Sequence, residues 1–484
     1  MSRGDQRQAP YFEALQSYVR QQNLTFHVPG HQHGRSAPEE FTELLHSWGL
    51  ACDITEVWGI DDIHDPVDQY DRARELAAQL HGAEQTFFLV NGSTVGNQAM
   101  FLSVLGPESS VILPHNSHRS VYSALLLSGA PAHFFATDFH PELLCSLPPT
   151  LEQAVEAMDC YPQAGAFFLT SPTYHGATSP LPAIVAEAHK RGLVVMVDEA
   201  WGGHLKFCQG SPTALEAGAD LVVQSAHKMT PALTQGAFLH LRGSRVDPSR
   251  VASVLRHLQT SSPSSLLVAS LDCARRQMAL EGEALWAEAL RLATSLQRRI
   301  QALAGIDCFQ TPPAWDDSRL LVRAHGYSGA RLEEVLRRQF RIQVEMSELH
   351  QVLFLITPGH TPEHADRLVS ALGALPPAEE SFDWKEIRDT LLALWSKNRL
   401  WEPPAKTVRE VFFSTTSPVN LEEAVDQTCA ELLYCYPPGV PFMYPGQRFS
   451  REALELIKMG RRLGGSVKGG ADPNLDSVLV LNKE

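Results

Sequence analysis

Leu221-Val222-Val223-Gln224-Ser225-Ala226-His227-Lys228-Met229-Thr230 is the stretch on which the fold is read. The apolar run at its start reads as a buried strand, and a lysine just past such a strand is held near the sheet edge with its ammonium partly out of water. Desolvation lowers an amine's pKa toward nucleophilic reactivity. Alone this sign is weak, because most lysines are solvated surface charges. Upstream, Val194-Val195-Met196-Val197-Asp198-Glu199 is a second strand, ending in an acid. Thr86 to Val90, Val111 to Leu113, Ala166 to Thr170 and Gly236 to Leu241 read as further buried strands, each a continuous β-favouring apolar run. Helical segments fall between them, so strands and helices alternate from about 86 to 241. That alternation implies right-handed crossovers and a mostly parallel sheet. Ligands bind such sheets at the carboxyl ends of the strands. Ser93, His118, Thr173, Asp198 and Lys228 all follow their strands on that edge, which coincidence explains poorly.

Asn91-Gly92-Ser93-Thr94-Val95-Gly96-Asn97 is read as a turn leading into a helix from Gln98 to Leu105. A glycine and hydroxyl turn at a helix N-terminus offers backbone N–H groups and a positive dipole end to a phosphate. Ser93 and Thr94 are equally explained as plain N-caps. Pro114-His115-Asn116-Ser117-His118-Arg119-Ser120 follows the next strand, where a histidine is either a capping residue or a ring that stacks on a flat cofactor. A Schiff-base lysine paired with an acid for a pyridinium nitrogen is what enzymes dependent on pyridoxal 5'-phosphate (PLP) require.

Farther out, Phe26-His27-Val28-Pro29-Gly30-His31-Gln32-His33-Gly34 holds three histidines around a Pro-Gly turn, without a neighbouring acid cluster of ligand spacing. It reads as a turn packed near the active centre rather than a metal site. Asp53 to Pro66 is a carboxylate-rich loop, either turn chemistry or acids for a cationic substrate. A helix from about Arg72 to Leu80 ends at Gly82. Glu281 to Leu303 reads as a long helix linking the alternating region to a smaller α+β unit over 318–372, and Pro376 to Glu380 as a linker. Beyond lie a helix near Trp384 to Trp395, a Pro-rich loop at Tyr436 to Pro441 and a helix near Arg451 to Leu463. The expected domains are residues 1–305, 306–375 and 380–484.

The chain has 484 residues, 44% apolar and 20% charged, enough for two or three domains. Its net charge of −15 argues against nucleic acid or an anionic membrane as partner and suits a cationic ligand. The eight cysteines, at 52, 145, 160, 208, 273, 308, 429 and 435, show no CxxC and no paired spacing, and read as reduced cytosolic thiols. No run reaches the roughly 18 consecutive apolar residues of a membrane span, and the first residues lack the apolar centre of a signal peptide. The expectation is a soluble cytoplasmic protein.

With these motifs in order, the chain resembles the fold-type-I PLP-dependent ornithine/lysine/arginine decarboxylases in their short form, from about residue 25 onward. The resemblance is carried by Phe26-His27-Val28-Pro29-Gly30-His31; Asp53-Ile54-Thr55-Glu56 with Gly59-Ile60-Asp61-Asp62; Asn91-Gly92-Ser93-Thr94; and Asn116-Ser117-His118-Arg119-Ser120. It continues through Pro172-Thr173-Tyr174-His175-Gly176, Asp198-Glu199-Ala200-Trp201, Ser225-Ala226-His227-Lys228, Ser261-Ser262-Pro263-Ser264, and Tyr436-Pro437-Pro438-Gly439-Val440-Pro441 with Tyr444-Pro445-Gly446. It implies an aspartate aminotransferase-like α/β major domain, a small α+β subdomain and a C-terminal α+β domain. It further implies Lys228 as the Schiff-base lysine, Asp198 as the acid on the pyridine nitrogen and His118 as the stacked histidine. Ser93, Thr94, Ser225 and His227 match phosphate contacts, Ala200 adjoins the cofactor acid, and Ser262 reaches the cofactor of a neighbouring subunit. The last implies a homo-oligomer, a dimer or dimer of dimers. The substrate implied is a basic amino acid, arginine before lysine before ornithine, with Asp62, Glu345, Glu431 and Trp201 as candidate contacts.

The chain departs from that pattern at three places. Gln32 replaces a basic residue, Ser265 a common aromatic and Gln447 an acid after Pro-Gly, and the large N-terminal wing domain of the acid-stress members is missing. Two other readings stand beside the decarboxylase. One is an aminotransferase or β-eliminating lyase on the same fold, with Arg319 or Arg323 as carboxylate clamp; the other is a non-catalytic PLP-binding regulatory subunit.

Overall fold

The computed structural model describes residues 19–482 apart from 48, 55–59, 209, 211, 310–314, 379–384, 386–387, 391, 394–403, 405, 436–440 and 463–466. The Thr55 to Gly59 part of the acidic loop, half of the Trp384 to Trp395 helix and the Pro-rich loop through Val440 lie outside the described residues. A seven-stranded sheet forms the centre. Its strands are β1 Gln85–Leu89, β2 Val111–Pro114, β3 Ala132–Phe135, β4 Ala166–Thr170, β5 Val194–Asp198, β6 Leu221–Gln224 and β7 Ala237–Leu241, in the spatial order β1-β7-β6-β5-β4-β2-β3. Only β7 runs against its neighbours, pairing antiparallel with both β1 and β6, so six strands end on one edge.

Strand residues alternate between two cores. Val111, Leu113, Phe168, Leu221 and Val223 face one, which also holds Met100, Phe101 and Leu125. Ile112, Phe167, Leu169, Val195 and Val222 face the other, with Ile184 and Ala188. Both faces are covered, which is why these strands read as unbroken apolar runs. Each fully buried Val, Leu or Phe contributes about 1.5–3 kcal/mol. The edge strand β3, Ala132-His133-Phe134-Phe135, gave no such run; three of its four residues are only half-buried.

Helix α1 starts at Gly92, not at Gln98, and runs to Val104. The glycines that suggested a turn are helical for a packing reason. A Cβ on Gly96 would lie 2.3 Å from Val223 Cγ2, so only glycine lets this helix press against β6. The other flanking helices include α2 Arg119–Ser128, α3 Leu151–Cys160 and α4 Leu181–Lys190. The long helix α5 begins at Ser265 and spans 37 residues to Gln301. It places Leu271 and Ala274 beside the main sheet and Ala293, Leu296 and Ile300 in a second core.

That second core surrounds a four-stranded sheet that includes Arg319–Ala324 and Val352–Leu355, with helices Gly329–Phe340 and Pro362–Gly373. The arm is part of it: Leu24–Phe26 pairs in parallel with Ile342–Val344. A third core, with Leu433, Phe449 and Val480, lies near the C-terminus. Among the described residues, no helix is long and apolar enough to cross a membrane.

Candidate active site

Strand β6 ends at Gln224, and Ser225 immediately precedes a four-residue helical turn, Ala226–Met229, that carries Lys228. The N–H of Gly30 donates to the carbonyl of His227 at 2.9 Å, so the histidine-rich arm packs on this turn. A Cβ on Gly30 would sit 2.8 Å from the Lys228 carbonyl oxygen, which explains the glycine. Gln32 is buried, accepting from Thr25 Oγ1 at 2.6 Å and donating to the His27 carbonyl at 2.7 Å. A charge there would be enclosed, which accounts for the missing basic residue.

The Lys228 Nζ stands over the Trp201 ring, 4.1 Å from its centroid. Burial pulls the amine from 10.5 down to about 8, with Arg319 adding to the fall, while the charges of Asp198 and Glu345 partly restore it. Asp198, at the end of β5, is buried; one carboxylate oxygen accepts from Asn97 Nδ2 at 2.8 Å, the other from the Ala200 N–H at 3.0 Å. Both donors are neutral, and burial raises the carboxyl above its ordinary value. A buried carboxylate held by neutral donors fits a cationic ring nitrogen.

Asn97 also donates to Ser120 Oγ at 2.9 Å, and Ser120 Oγ lies 2.8 Å from His118 Nδ1. His118 caps α2, its Nδ1 accepting from the Ser120 N–H at 3.2 Å. If Nδ1 accepts, Nε2 carries the proton of a neutral ring. Burial, then the charges of Lys228 and Arg119, push its pKa down to about 3. Asn97 and Ser120 thus tie the cofactor acid to the histidine. Neither residue stands out as functional in the sequence alone. Once α1 is known to start at Gly92, Asn97 falls four residues after Ser93 on one helix face, a signal the assumed turn concealed.

Ser225 Oγ donates to Ser93 Oγ at 2.8 Å, joining the ends of β1 and β6. Asn91 makes no side-chain cap to α1, a 13-residue helix whose first residue, Gly92, gives its N–H to the Gln235 carbonyl at 2.8 Å, with Ser93 and Thr94 next in its first turn. Two hydroxyls at a helix start fit a phosphate. His227 Nδ1 is 3.0 Å from the Gly236 carbonyl, and burial pulls this ring down to about 4. Ala200 serves through its N–H on Asp198. The residues on this edge therefore fit a flat pyridine ring with an aldehyde at Lys228 and a phosphate at Ser93 and Ser225.

Glu345 belongs to the same surroundings. It accepts from the Val28 N–H at 2.8 Å and the Tyr174 hydroxyl at 2.5 Å, and the Tyr174 ring is 4.6 Å from that of Trp201. Burial raises its carboxyl, and its charge is felt at Lys228. The other expected substrate acids stand elsewhere. Asp62 accepts from the His64 N–H within its own loop. Glu431 is buried in the C-terminal region, with its oxygens on the N–H groups of Ala471 and Leu479. Ser262 is exposed and contacts Thr260. Gln447 is also buried, with its Oε1 taking the Tyr444 N–H. Ser265 Oγ donates to the Cys52 carbonyl and accepts from the Ile54 N–H, holding the acidic loop.

Arg319, considered above as a carboxylate clamp, is fully buried and spent. It pairs with Asp316, donates to the Tyr174 carbonyl at 3.1 Å and the Trp201 carbonyl at 3.2 Å, and reaches Ser318 Oγ at 3.1 Å. Asp316 also takes buried His204 at 2.8 Å. Arg323 is bound to Asp307 at 3.0 Å near the surface.

Residues 9–316 match the family model described as Orn/Lys/Arg decarboxylase, major domain, and 394–468 match the Orn/Lys/Arg decarboxylase C-terminal domain. The chain is 34% identical to an arginine decarboxylase of Bacillus subtilis (strain 168), with 99% of each covered. Among solved structures, a constitutive lysine decarboxylase of Escherichia coli superposes with a TM-score of 0.75 at 19% identity, covering 98% of this chain and 82% of that one. Serine palmitoyltransferase of Sphingomonas wittichii superposes with a TM-score of 0.58 at 16% identity, covering 73% of this chain and 86% of that one.

Proposed function

The chain belongs to the Orn/Lys/Arg decarboxylase family, and from that premise we propose that it removes the α-carboxylate of a basic L-amino acid, arginine first, to give agmatine and carbon dioxide. The family consists of PLP-dependent carboxy-lyases, and this chain is one. The observation that carries the reading is the convergence of a desolvated Lys228, a buried Asp198 and the Ser93–Ser225 hydroxyl pair on one sheet edge. Arginine is placed ahead of lysine and ornithine because relatives at 32–34% identity, covered over 98–99% of their length, are arginine decarboxylases.

When bound, the cofactor supplies an electron-accepting pyridine ring conjugated to the substrate Cα. We assign the following work to the chain's own residues. Lys228 offers an amine of lowered proton affinity. Asp198 would hold a proton on the ring nitrogen, with Asn97 keeping that carboxylate aimed. Ser93, Thr94 and Ser225 would hold the phosphate end, with His227 beside them. His118, a neutral imidazole, would be the residue to stack on the ring. Trp201 and Tyr174 wall the amine from water. For the proton delivered to Cα, Lys228 is preferred over His227. The Gly236 carbonyl requires the proton on His227 Nδ1, so its neutral ring presents a bare Nε2.

Of the acids considered for the substrate, Glu345 is the one whose charge reaches Lys228. Ser262 and Asp62 stand on loops and are assigned to a second subunit's site, in a homodimer or dimer of dimers in the cytoplasm. Carbon dioxide release measured separately with arginine, lysine and ornithine tests the reading. Arginine should be fastest. Silence with all three, with the visible band of the lysine-bound cofactor present, would overturn the activity; absence of that band would overturn the site.

A further inference from the structure

The turn after β4 folds on itself, with Gly176 N–H donating to the Thr173 carbonyl at 2.9 Å and Ala177 N–H to Thr173 Oγ1 at 3.1 Å. Yet it is gripped from the second core. The Asp316 N–H donates to the Gly176 carbonyl at 2.9 Å, Arg319 Nε to the Tyr174 carbonyl at 3.1 Å, and Ala177 bridges to Trp315. Its two adjacent side chains then end on two acids of one short segment. The Tyr174 hydroxyl donates to Glu345 Oε1 at 2.5 Å, and His175 Nε2 lies 2.8 Å from Glu348 Oε1. Gln351 Nε2 holds the other Glu348 oxygen at 2.6 Å and also donates to the Leu143 carbonyl at 3.0 Å.

The first of these links is part of the site. A contiguous path runs from Lys228 to Trp201 at 4.1 Å, from Trp201 to Tyr174 at 4.6 Å, and from the Tyr174 hydroxyl to Glu345. The second link, His175 to Glu348, lies beside the first, with the His175 ring edge-on to that of Tyr174 at 6.3 Å. It joins the same two segments one residue along the turn and three along the segment that carries Glu345. With two links, the turn cannot draw away from the Glu345 segment without also breaking a mostly buried pair. We propose that His175, through Glu348, is a positioning residue that keeps the Tyr174 hydroxyl on Glu345 and so fixes where that carboxylate stands relative to the Lys228 amine. The proposal rests on the assignment of Lys228 as the reacting amine.

The pair is suited to that task. Burial works against a charged imidazole, but Cys145 and Glu348 outweigh it and hold the ring's pKa well above the ordinary value. His140, His350 and the phenol of Tyr174 also face it. A charge-assisted bond in such a place is stronger and more directional than a neutral one.

The test reads Lys228 itself. The rate at which an amine-directed reagent labels Lys228 in the cofactor-free full-length protein is followed by mass spectrometry across pH. For the unaltered protein the expected midpoint is about 8. Glu345 favours the ammonium, so Glu345→Gln should lower the midpoint by about one pH unit, tenfold in proton affinity. His175→Leu should lower it in the same direction by about half as much, and His175→Gln, which keeps a donor, should restore most of the loss. Glu348→Gln breaks the pair from the other side and gives the same reading should His175→Leu fail to fold. A midpoint unchanged in both His175→Leu and Glu348→Gln would overturn the proposal, as would an unchanged midpoint in Glu345→Gln. The labelling needs no turnover, so an enzyme silent toward all three amino acids would defeat the proposed reaction without affecting this result.

Discussion

The ammonium of Lys228 rests 4.1 Å from the centroid of the Trp201 indole, and the same indole lies 5.4 Å from the guanidinium carbon of Arg319. The ring acts on the lysine in two opposed ways. Its π face favours the charged amine by about 0.5–2 kcal/mol, whereas its bulk keeps water off and favours the neutral one. The amine is pulled from 10.5 to about 8, with burial the largest cause, so exclusion of water wins. Trp201→Ala should therefore raise the Lys228 pKa above 8 toward 10.5, read from the pH dependence of amine labelling. A fall would mean that the cation–π attraction is the larger effect.

The lowered proton affinity of Lys228 has a cost in stability. An amine less basic in the folded chain than in the unfolded one weakens the fold once pH drops below 10.5, and the full penalty is present below about 8. Cofactor-free Lys228→Met should thus be more stable than the parent at pH 7 by about 1–2 kcal/mol, after allowance for partial exposure. The gap should close as pH rises from 8 to 10.5. Chemical denaturation at several pH values measures it, and the same variant should lose carbon dioxide release by about three orders of magnitude.

Asp198→Asn keeps the shape of the acid and removes its charge. A buried cation on the pyridine ring would then lack its partner, a loss of about 3–5 kcal/mol. Equilibrium titration with PLP should show affinity reduced by about 10² or more. Asn97→Ala leaves the charge but removes the donor at 2.8 Å, and should cost only about 1–2 kcal/mol.

Much of this arrangement is legible in the sequence, for identifiable reasons. The strands β2, β4, β5 and β6 are buried on both faces, so their composition alone marks them, and the residues after them fall on one edge by topology. Lys228, Asp198, His118 and Ser93 follow from that. What escaped depends on contacts between distant segments. Gly96 looked like turn chemistry because its purpose, contact with Val223, is tertiary. Arg319 and Asp316 carry no local pattern that separates a buried structural pair from a ligand clamp. Glu345 and Glu431 look alike as acids near apolar strands; only the fold puts one beside Lys228 and the other on the N–H groups of Ala471 and Leu479.

The hydrogen bond between Ser225 Oγ and Ser93 Oγ at 2.8 Å makes these two hydroxyls one unit. Ser93→Ala and Ser225→Ala should each weaken PLP binding by about tenfold, as expected for one hydrogen bond to a charged group. The double variant should lose less than the product of the two, because each single change already breaks the shared bond. A fully multiplicative loss, measured by PLP titration of all four proteins, would show that the hydroxyls act independently.

Burial alone would raise the carboxyl of Asp316, but Arg319 and His204 outweigh it and hold it far below 3.8. An acid depressed in this way stabilises the folded chain above pH 3.8 and loses that contribution as pH falls toward its lower folded value. Asp316→Asn leaves the buried guanidinium without its counter-charge, so a loss of about 3–5 kcal/mol is expected at pH 7, narrowing only below about pH 4. Denaturation of both proteins at pH 7 and pH 3 checks this. The same pair separates decarboxylation from transamination. Four of the five guanidinium N–H groups are matched by Asp316, Ser318, Tyr174 and Trp201, which leaves no fork for a substrate carboxylate. Arg319→Lys should therefore lower stability and kcat together while the KM for arginine changes by less than about threefold. A large rise in KM with stability intact, or amine transfer that depends on an added keto acid, would mean that Arg319 holds the substrate after all.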